Sequence, residues 1–459
     1  MMIAKSLKKF LGAAVVWGLC SAGAEAADQY NAGVRNNTAG SSGFSMADDS
    51  QVAQVVNFET DLLDHRSGSL GDTGDACDDD GADCGRRSWA SVEYLSWWTR
   101  GMSTPPLVTE AVRGNPAVIG DGGQVVYGGE QLLTSGRQGG RLRVGHWLDD
   151  CRSSGIEAEY FALGRVGDSF VDAGGPDRTV ARPFINSQIG AATTELVNYL
   201  PPVGVPFAGS GALCGMVNVD ASSSFAGGGF RFRRNYACDD HGCSGWSLDW
   251  LAGYRYLGLN ERLGIREQLT SLDPNRPYVA FDIMDQFQTR SDFNGADLGM
   301  SFIGRRDRWS LELLGRLGFG SNRNRVAING QTTITNTLTG DSLTSTVGVP
   351  PGGGAYTGGG LLAQRSNIGV YTDDVFSVVP EIGLTLVYQL SPRVKTTFGY
   401  NLLVWTNVVR PGDQIDLRVN PDLLPNEINP VTGPLTPVAP NATSTFWAQG
   451  LTAGVQIDF

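Results

Sequence analysis

A period of two governs most of this chain. From Trp89 onward, short segments recur in which every second residue is apolar and the residues between are mostly polar, small or charged. Successive side chains of a strand point to opposite faces, so each segment reads as a strand with one apolar face. Trp246, Leu248, Trp250, Ala252, Tyr254 and Tyr256 form one such set, and Trp309, Leu311, Leu313, Leu317 and Phe319 another. Equivalent sets begin at Ala90, Leu142, Ile156, Phe230, Ala296, Ile382, Phe398 and Leu451. The pattern predicts about ten strands, with twelve as the alternative.

The connections between these segments alternate in length. Short turns are expected at Asp149–Ser153, Ala237–Ser244, Arg305–Arg308 and Ser391–Arg393, and long connections at about 101–137, 165–220, 261–292, 322–373 and 410–443. Short turns on one side and long loops on the other describe an antiparallel up-and-down transmembrane β-barrel with periplasmic turns and extracellular loops. The 21 prolines fall outside the strand cores, provided the eighth strand begins after Pro380. Past the first 26 residues no apolar run approaches the ~18 residues that a spanning helix needs. Only 41% of the chain is hydrophobic and 62 of its 459 residues are Gly, which suits strands that are half apolar and loops that are long.

The outward sets as read contain no Asp, Glu, Lys or Arg. The opposite faces carry Glu93, Arg141, Arg143, Glu157, Glu159, Arg231, Arg233, Asp249, Arg255, Asp297, Glu312, Arg316, Glu381, Lys395 and Asp458. A soluble sandwich buries such a face, whereas a membrane barrel turns it to a polar lumen. These residues are therefore expected to line the lumen. Glu157 and Glu159 are expected to pair with Arg231 and Arg233 on the neighbouring strand rather than to act as a catalytic acid and base. The alternation in Leu451, Ala453, Val455, Ile457 and Phe459 ends on an aromatic residue, which is expected to serve as the signal for barrel-insertion machinery.

The N-terminus reads as a cleaved export signal. Lys5, Lys8 and Lys9 precede an apolar stretch from Phe10 to Leu19, and Ala24-Glu25-Ala26 supplies a cleavage site before Ala27. Removing residues 1–26 takes Lys5, Lys8, Lys9 and Glu25 away from 35 basic and 47 acidic residues. The remaining 32 and 46 give a net charge of −14, which argues against a nucleic-acid partner. Residues 27–88 are acidic and rich in Gly, Ser and Asp, and read as a leader ahead of a barrel at 89–459. Asp72, Asp75, Asp78 and Asp80 form a weak Ca²⁺ candidate, with a solvated acidic linker the preferred reading. Export permits disulfides, and close spacing favours Cys77–Cys84 and Cys238–Cys243, leaving Cys151 and Cys214 among fifteen pairings. No cofactor is expected. The three histidines, His65, His146 and His241, do not assemble a Ser-His-acid set, so no enzyme is expected. Gly227-Gly228-Gly229 precedes a strand and reads as close strand approach. Gly352–Gly354 and Gly358–Gly360 read as a mobile loop, with a pore constriction as the sharper option.

Several stretches, in order, resemble one family. They are Glu93-Tyr94-Leu95 with Trp97-Trp98, Pro105-Pro106-Leu107-Val108-Thr109, Gly155-Ile156-Glu157, and Gly253-Tyr254-Arg255-Tyr256-Leu257 with Asn260-Glu261. Val379-Pro380-Glu381-Ile382-Gly383, Gly399-Tyr400-Asn401 and Arg410-Pro411-Gly412-Asp413-Gln414-Ile415 follow. Together they are similar to the seventh β-barrel porin group, known from planctomycetes, over about 89–459. The resemblance implies an outer-membrane barrel and transfers no site residues.

Two functions follow as expectations: porin-like passive diffusion of small hydrophilic solutes, or a closed barrel serving as a surface scaffold or adhesion protein. Outer-membrane lipid is the expected surrounding, and the oligomeric state stays open. The location has a direct check. The protein should sediment with outer membranes and migrate faster on SDS gels unheated than boiled. Recovery in the soluble periplasmic fraction would contradict it.

Overall fold

The computed structural model describes residues 87–149, 152–241, 244–274, 279–336, 342–346, 358–424 and 430–459. The export signal, the leader with Asp72, Asp75, Asp78 and Asp80, and Cys77, Cys84, Cys151 and Cys243 lie outside them. Ten antiparallel strands form the wall: β1 (Ser88–Thr99), β2 (Arg137–Trp147), β3 (Ser154–Asp172), β4 (Leu213–His241), β5 (Ser244–Ser271), β6 (Val279–Arg306), β7 (Trp309–Asn336), β8 (Gly369–Ser391), β9 (Val394–Val409) and β10 (Thr443–Asp458). Each pairs with the next, and β1 pairs with β10 from Trp89↔Asp458 to Thr99↔Ala448, so the ring closes. Closure leaves no sheet edge where the wall meets hydrocarbon, which has no water to satisfy one.

The outward faces are the apolar ones. Val92, Leu142, Ile156, Phe230, Leu298, Leu313, Ile382, Phe398 and Leu451 are all exposed. On β7 the outward apolar run goes from Trp309 to Phe319 before Ser321 and Arg323 follow. Ten residues of tilted strand rise roughly 25 Å, the height of a lipid-facing band. Trp246, Trp309 and Tyr388 lie at its turn end. The four tight turns and both ends of the described wall share that side, so by the barrel rule it faces the periplasm.

The wall is uneven in height, and here three of the expected connections need correction. β4 runs for 29 residues, and β5, β6 and β7 for 28 each, against 12 for β1 and 16 for β9 and β10. The expected long loop at 261–292 is mostly strand: β5 and β6 pair as far as Thr270↔Ala280. The expected connections at 165–220 and 322–373 likewise start inside β3 and β7. Beyond the lipid band the outer face is polar and the inner face apolar, so the alternation inverts and no longer reads as a lipid-facing strand.

The tall strands stand as a curved palisade, and the long connections pack against its inner face as a cap. Arg178–Asn186 is the central cap strand. It pairs with Pro106–Val112, with Ala191–Asn198 and, in parallel, with Arg418–Val419, while Gln124–Gly128 extends the far side. Val180, Phe184, Leu107, Val108 and Val197 from the cap meet Val217, Val219, Leu263, Ile265, Phe287, Val326 and Ile328 of the palisade in one buried cluster.

Pro380 corrects a further expectation, because it lies inside β8. The Val378 N–H and the Phe376 carbonyl both engage β9 side chains, so the Pro380 nitrogen, of the same parity, faces β9 as well. It has no proton to donate, and the β8–β9 ladder stops at Glu381↔Leu403. Above that point side chains replace the ladder. Thr406 Oγ1 accepts from Val378 N at 3.0 Å, Ser377 Oγ donates to the Thr406 carbonyl at 2.6 Å, and Asn407 Nδ2 donates to the Phe376 carbonyl at 2.9 Å.

Cys238 is a free thiol, which corrects the Cys238–Cys243 expectation. Its cross-strand neighbour in the β4–β5 hairpin is Ser247. Cys214 is disulfide-bonded. Gly358–Gly360 is not a free loop either. Gly360 is buried, and a Cβ there would stand 2.1 Å from Asp285 Oδ1.

Gly227 shows why the strand glycines matter. It points inward on β4, and a Cβ there would meet Leu257 Cδ2 at 2.5 Å and Phe161 Cε1 at 2.8 Å. Gly227→Val should therefore destabilise the barrel by about 1–3 kcal/mol through overpacking. Gly315→Ala, at a position with open space around it, should cost far less. Urea midpoints followed by unheated gel migration compare the two. Equal midpoints would refute the close packing at Gly227.

Candidate functional site

The lumen is the place where chemistry-bearing residues converge, and it is filled by two stacked layers. The lower layer is ionic. All twelve charged residues expected on β2–β8 face inward, together with Glu93. Glu93 on β1 accepts from Arg141 Nε at 2.7 Å and from Arg143 Nη2 at 2.5 Å on β2. Arg231 on β4 donates to Glu157 Oε1 at 2.7 Å and to Glu159 Oε1 at 3.0 Å on β3. Arg233 reaches Glu312 at 3.2 Å, Asp249 at 3.5 Å and Glu157 at 4.0 Å. Arg316 on β7 reaches back to Glu159 on β3 at 2.8 Å, and also binds Glu381 at 2.7 Å and Asp297 at 3.5 Å. Arg255 pairs with Glu381 and lies 3.7 Å from Asp297. Lys395 and Asp458 pair at 2.7 Å nearer the turns.

Because strands three or four places apart are bridged, the network crosses the lumen instead of lining it. Arg141 Nη2 on β2 also donates to Asn401 Oδ1 on β9, at 3.3 Å. Arg231, Arg255, Asp297, Arg316 and Glu381 are all buried. Beside the layer, a cavity of about 10 Å³ among Trp89, His146, Trp147, Gly155, Ile156, Glu157 and Arg233 is at the lower limit for one water.

The upper layer is apolar, and sequence reasoning missed it. Leu95, Trp97, Phe161, Leu163, Phe225, Leu257, Leu259, Phe293, Val379, Leu403, Trp405, Val408, Phe446 and Ala448 form one buried cluster inside the ring. β2 and β7 contribute Gly139 and Gly318 at this level; a Cβ on the first would meet Leu163, and on the second the Phe293 ring. The aromatic rings form a continuous chain. Trp97 lies 5.7 Å from Phe161, and Phe161 lies 5.3 Å from Phe225. Phe225 on β4 then meets Phe446 on β10 at 5.0 Å and Trp405 on β9 at 6.3 Å, and Trp405 meets Phe293 on β6 at 6.4 Å. β4 and β9 are five places apart in a ring of ten, so rings from opposite walls touch. The missed signal is consecutive apolar residues on both faces, as in Tyr256-Leu257 and Leu402-Leu403-Val404-Trp405.

Above the rings the cap is tied to the wall by charge. Arg410 forms a bidentate pair with Glu261, at 2.8 and 2.7 Å, and donates to the Gly101 carbonyl at 2.5 Å. Arg182 of the central cap strand donates to Glu267 at 2.9 Å and Asp285 at 2.5 Å. Asp285 Oδ1 also accepts from Leu362 N at 3.0 Å and Ala363 N at 2.8 Å. Among the described residues no group of His, Cys, Asp and Glu could hold a metal ion.

Comparison with known proteins agrees with this architecture. The model of the family described as "Putative beta barrel porin-7 (BBP7)" matches residues 89–459. The chain belongs to that family. No curated protein matches it. Among solved structures it is similar to the outer membrane protease OmpT from Escherichia coli, at 11% identity and a TM-score of 0.33, covering 81% of this chain and 97% of that one. A TodX mutant described as a monoaromatic hydrocarbon channel matches at 8% identity and 0.22, covering 82% and 91%. A Pseudomonas aeruginosa FadL homologue matches at 8% and 0.21 over the same shares. The family and the closed ten-strand ring support an outer-membrane barrel.

Removing one member of a buried ion network strands its partners, at a cost of about 3–5 kcal/mol. Arg316→Met would leave Glu159, Asp297 and Glu381 short of one cation. It should lower the unfolding free energy by that amount in urea titrations. An unchanged midpoint would show that Arg316 does not bridge the lumen.

Proposed function

We propose that this chain is a closed outer-membrane barrel that anchors a rigid extracellular platform and does not serve as an open diffusion pore. The observation that carries this reading is the contact between Phe225 and the Trp405 and Phe446 rings from the opposite wall, above a lumen already spanned by ion pairs. Water and hydrophilic solutes would have to displace both layers. The cap, clamped by Arg182 and Arg410, is then the working surface, acting as a scaffold or adhesion site. Export through a signal cleaved before Ala27, and insertion guided by the strand from Leu451 to Phe459, belong to the same proposal. So does the absence of catalysis. Porin-like passive diffusion of small hydrophilic solutes is the second reading, favoured by the family's description, and it requires the aromatic chain to part.

Planar bilayers separate the two. The purified protein, inserted with its native fold confirmed by gel migration, should give no single-channel conductance steps. Reproducible steps from the wild-type protein would overturn the closed reading and restore diffusion.

A further inference from the structure

The outward face of β5, β6 and β7 changes character where the lipid band ends. On β7 the outward residues run Leu317, Phe319, Ser321, Arg323, Arg325; on β6, Leu298, Ala296, Asn294, Asp292, Arg290; on β5, Tyr254, Tyr256, Gly258, Asn260, Arg262. Arg165 on β3 joins them and donates to Ser222 Oγ at 2.8 Å. Along strands tilted about 45°, Arg323 and Arg325 stand roughly 5 and 10 Å above Ser321. A headgroup region is roughly 5–8 Å deep on each side of the hydrocarbon.

Two of these arginines face each other. Arg290 and Arg325 are direct cross-strand partners, and Arg325's other neighbour is Thr372. Like charges directly opposite destabilise a sheet. Arg290 is held by both oxygens of Asp292, at 2.6 and 3.2 Å, whereas the shielded Nε of Arg325 has no hydrogen-bond partner among the described residues. Arg262, with Ser222 and Gln288 as cross-strand neighbours, is exposed, and so is Arg323, which stands between Asp292 of β6 and Asp374 of β8. Planar guanidinium groups bind phosphate oxygens in pairs, which suits two of them set side by side.

We propose that this arginine ridge binds the phosphate of an outer-leaflet lipid headgroup, gripped between Arg290 and Arg325 and flanked by Arg262 and Arg323. A lipid is the occupant because the ridge continues the lipid-facing band upward on the same strands. The proposal rests on the membrane placement of the barrel and is independent of whether the lumen conducts.

The test uses the full chain in neutral detergent, with phosphatidic acid and phosphatidylcholine as probes and bound lipids counted by native mass spectrometry. Wild-type protein should retain phosphatidic acid at about tenfold lower concentration than phosphatidylcholine. Arg290→Gln with Arg325→Gln should abolish that preference, while Arg308→Gln in a periplasmic turn should keep it. Thermal unfolding guards against a folding artefact. Without anionic lipid, Arg325→Gln should melt no lower than wild type, because a repulsion is relieved. With phosphatidic acid, the wild-type Tm should rise and the variant's should not. An unchanged lipid preference in the double variant, an equal loss in Arg308→Gln, or displacement of the lipid by millimolar inorganic phosphate alone would overturn the proposal.

Discussion

Hydrocarbon offers a peptide group no hydrogen-bond partner, and the rest of this structure follows from that constraint. Every N–H and C=O at membrane depth must be satisfied within the wall, so the sheet closes on itself through the β1–β10 pairing. Closure turns one face of each strand to lipid and the other to a narrow interior. Ten strands enclose little more than the eight-strand size that side chains fill. The interior therefore behaves as a protein core, where a charge is costly unless it is paired.

The two lumen layers are different answers to that requirement. Charges buried without water cost several kcal/mol each unless partners surround them, and the lower layer surrounds them: Glu159 receives Arg231 and Arg316, and Glu381 receives Arg255 and Arg316. Such networks contribute little net stability, but they fix which side chain crosses to which wall. The upper layer excludes water by ring contact, with Gly139, Gly227 and Gly318 leaving room for Leu163, Phe161 and Phe293. Above it, the uneven wall height gives the cap an apolar concave surface to pack against, while the short strands β1, β9 and β10 leave space for Arg410 to reach Glu261.

Much of the barrel was legible in the sequence because lipid enforces strict alternation. The outward sets, the ionic inner face, the tight turns and the pairing of Glu157 and Glu159 with Arg231 all follow from period two and from register. The aromatic layer was not legible in the same way. Where both faces become apolar, as at Tyr256-Leu257, alternation vanishes and a strand looks like an undifferentiated apolar run. The palisade was hidden because the polarity pattern inverts above the lipid band. Pro380 reads as a strand boundary, yet it ends only the ladder to β9 while β8 continues along β7. The cap sheet rests on pairings such as Thr109↔Ala181 and Arg418↔Ile185, between segments far apart in sequence, which no local pattern announces.

Opposite walls meet inside the ring where Phe225 packs against Trp405 and Phe446. The most direct measurement is the radius of the lumen along its axis in an experimental structure of the protein embedded in lipid. The lumen should narrow below the radius of a water molecule where Phe225 meets Trp405 and Phe446. A continuous water-filled passage at that level would contradict it.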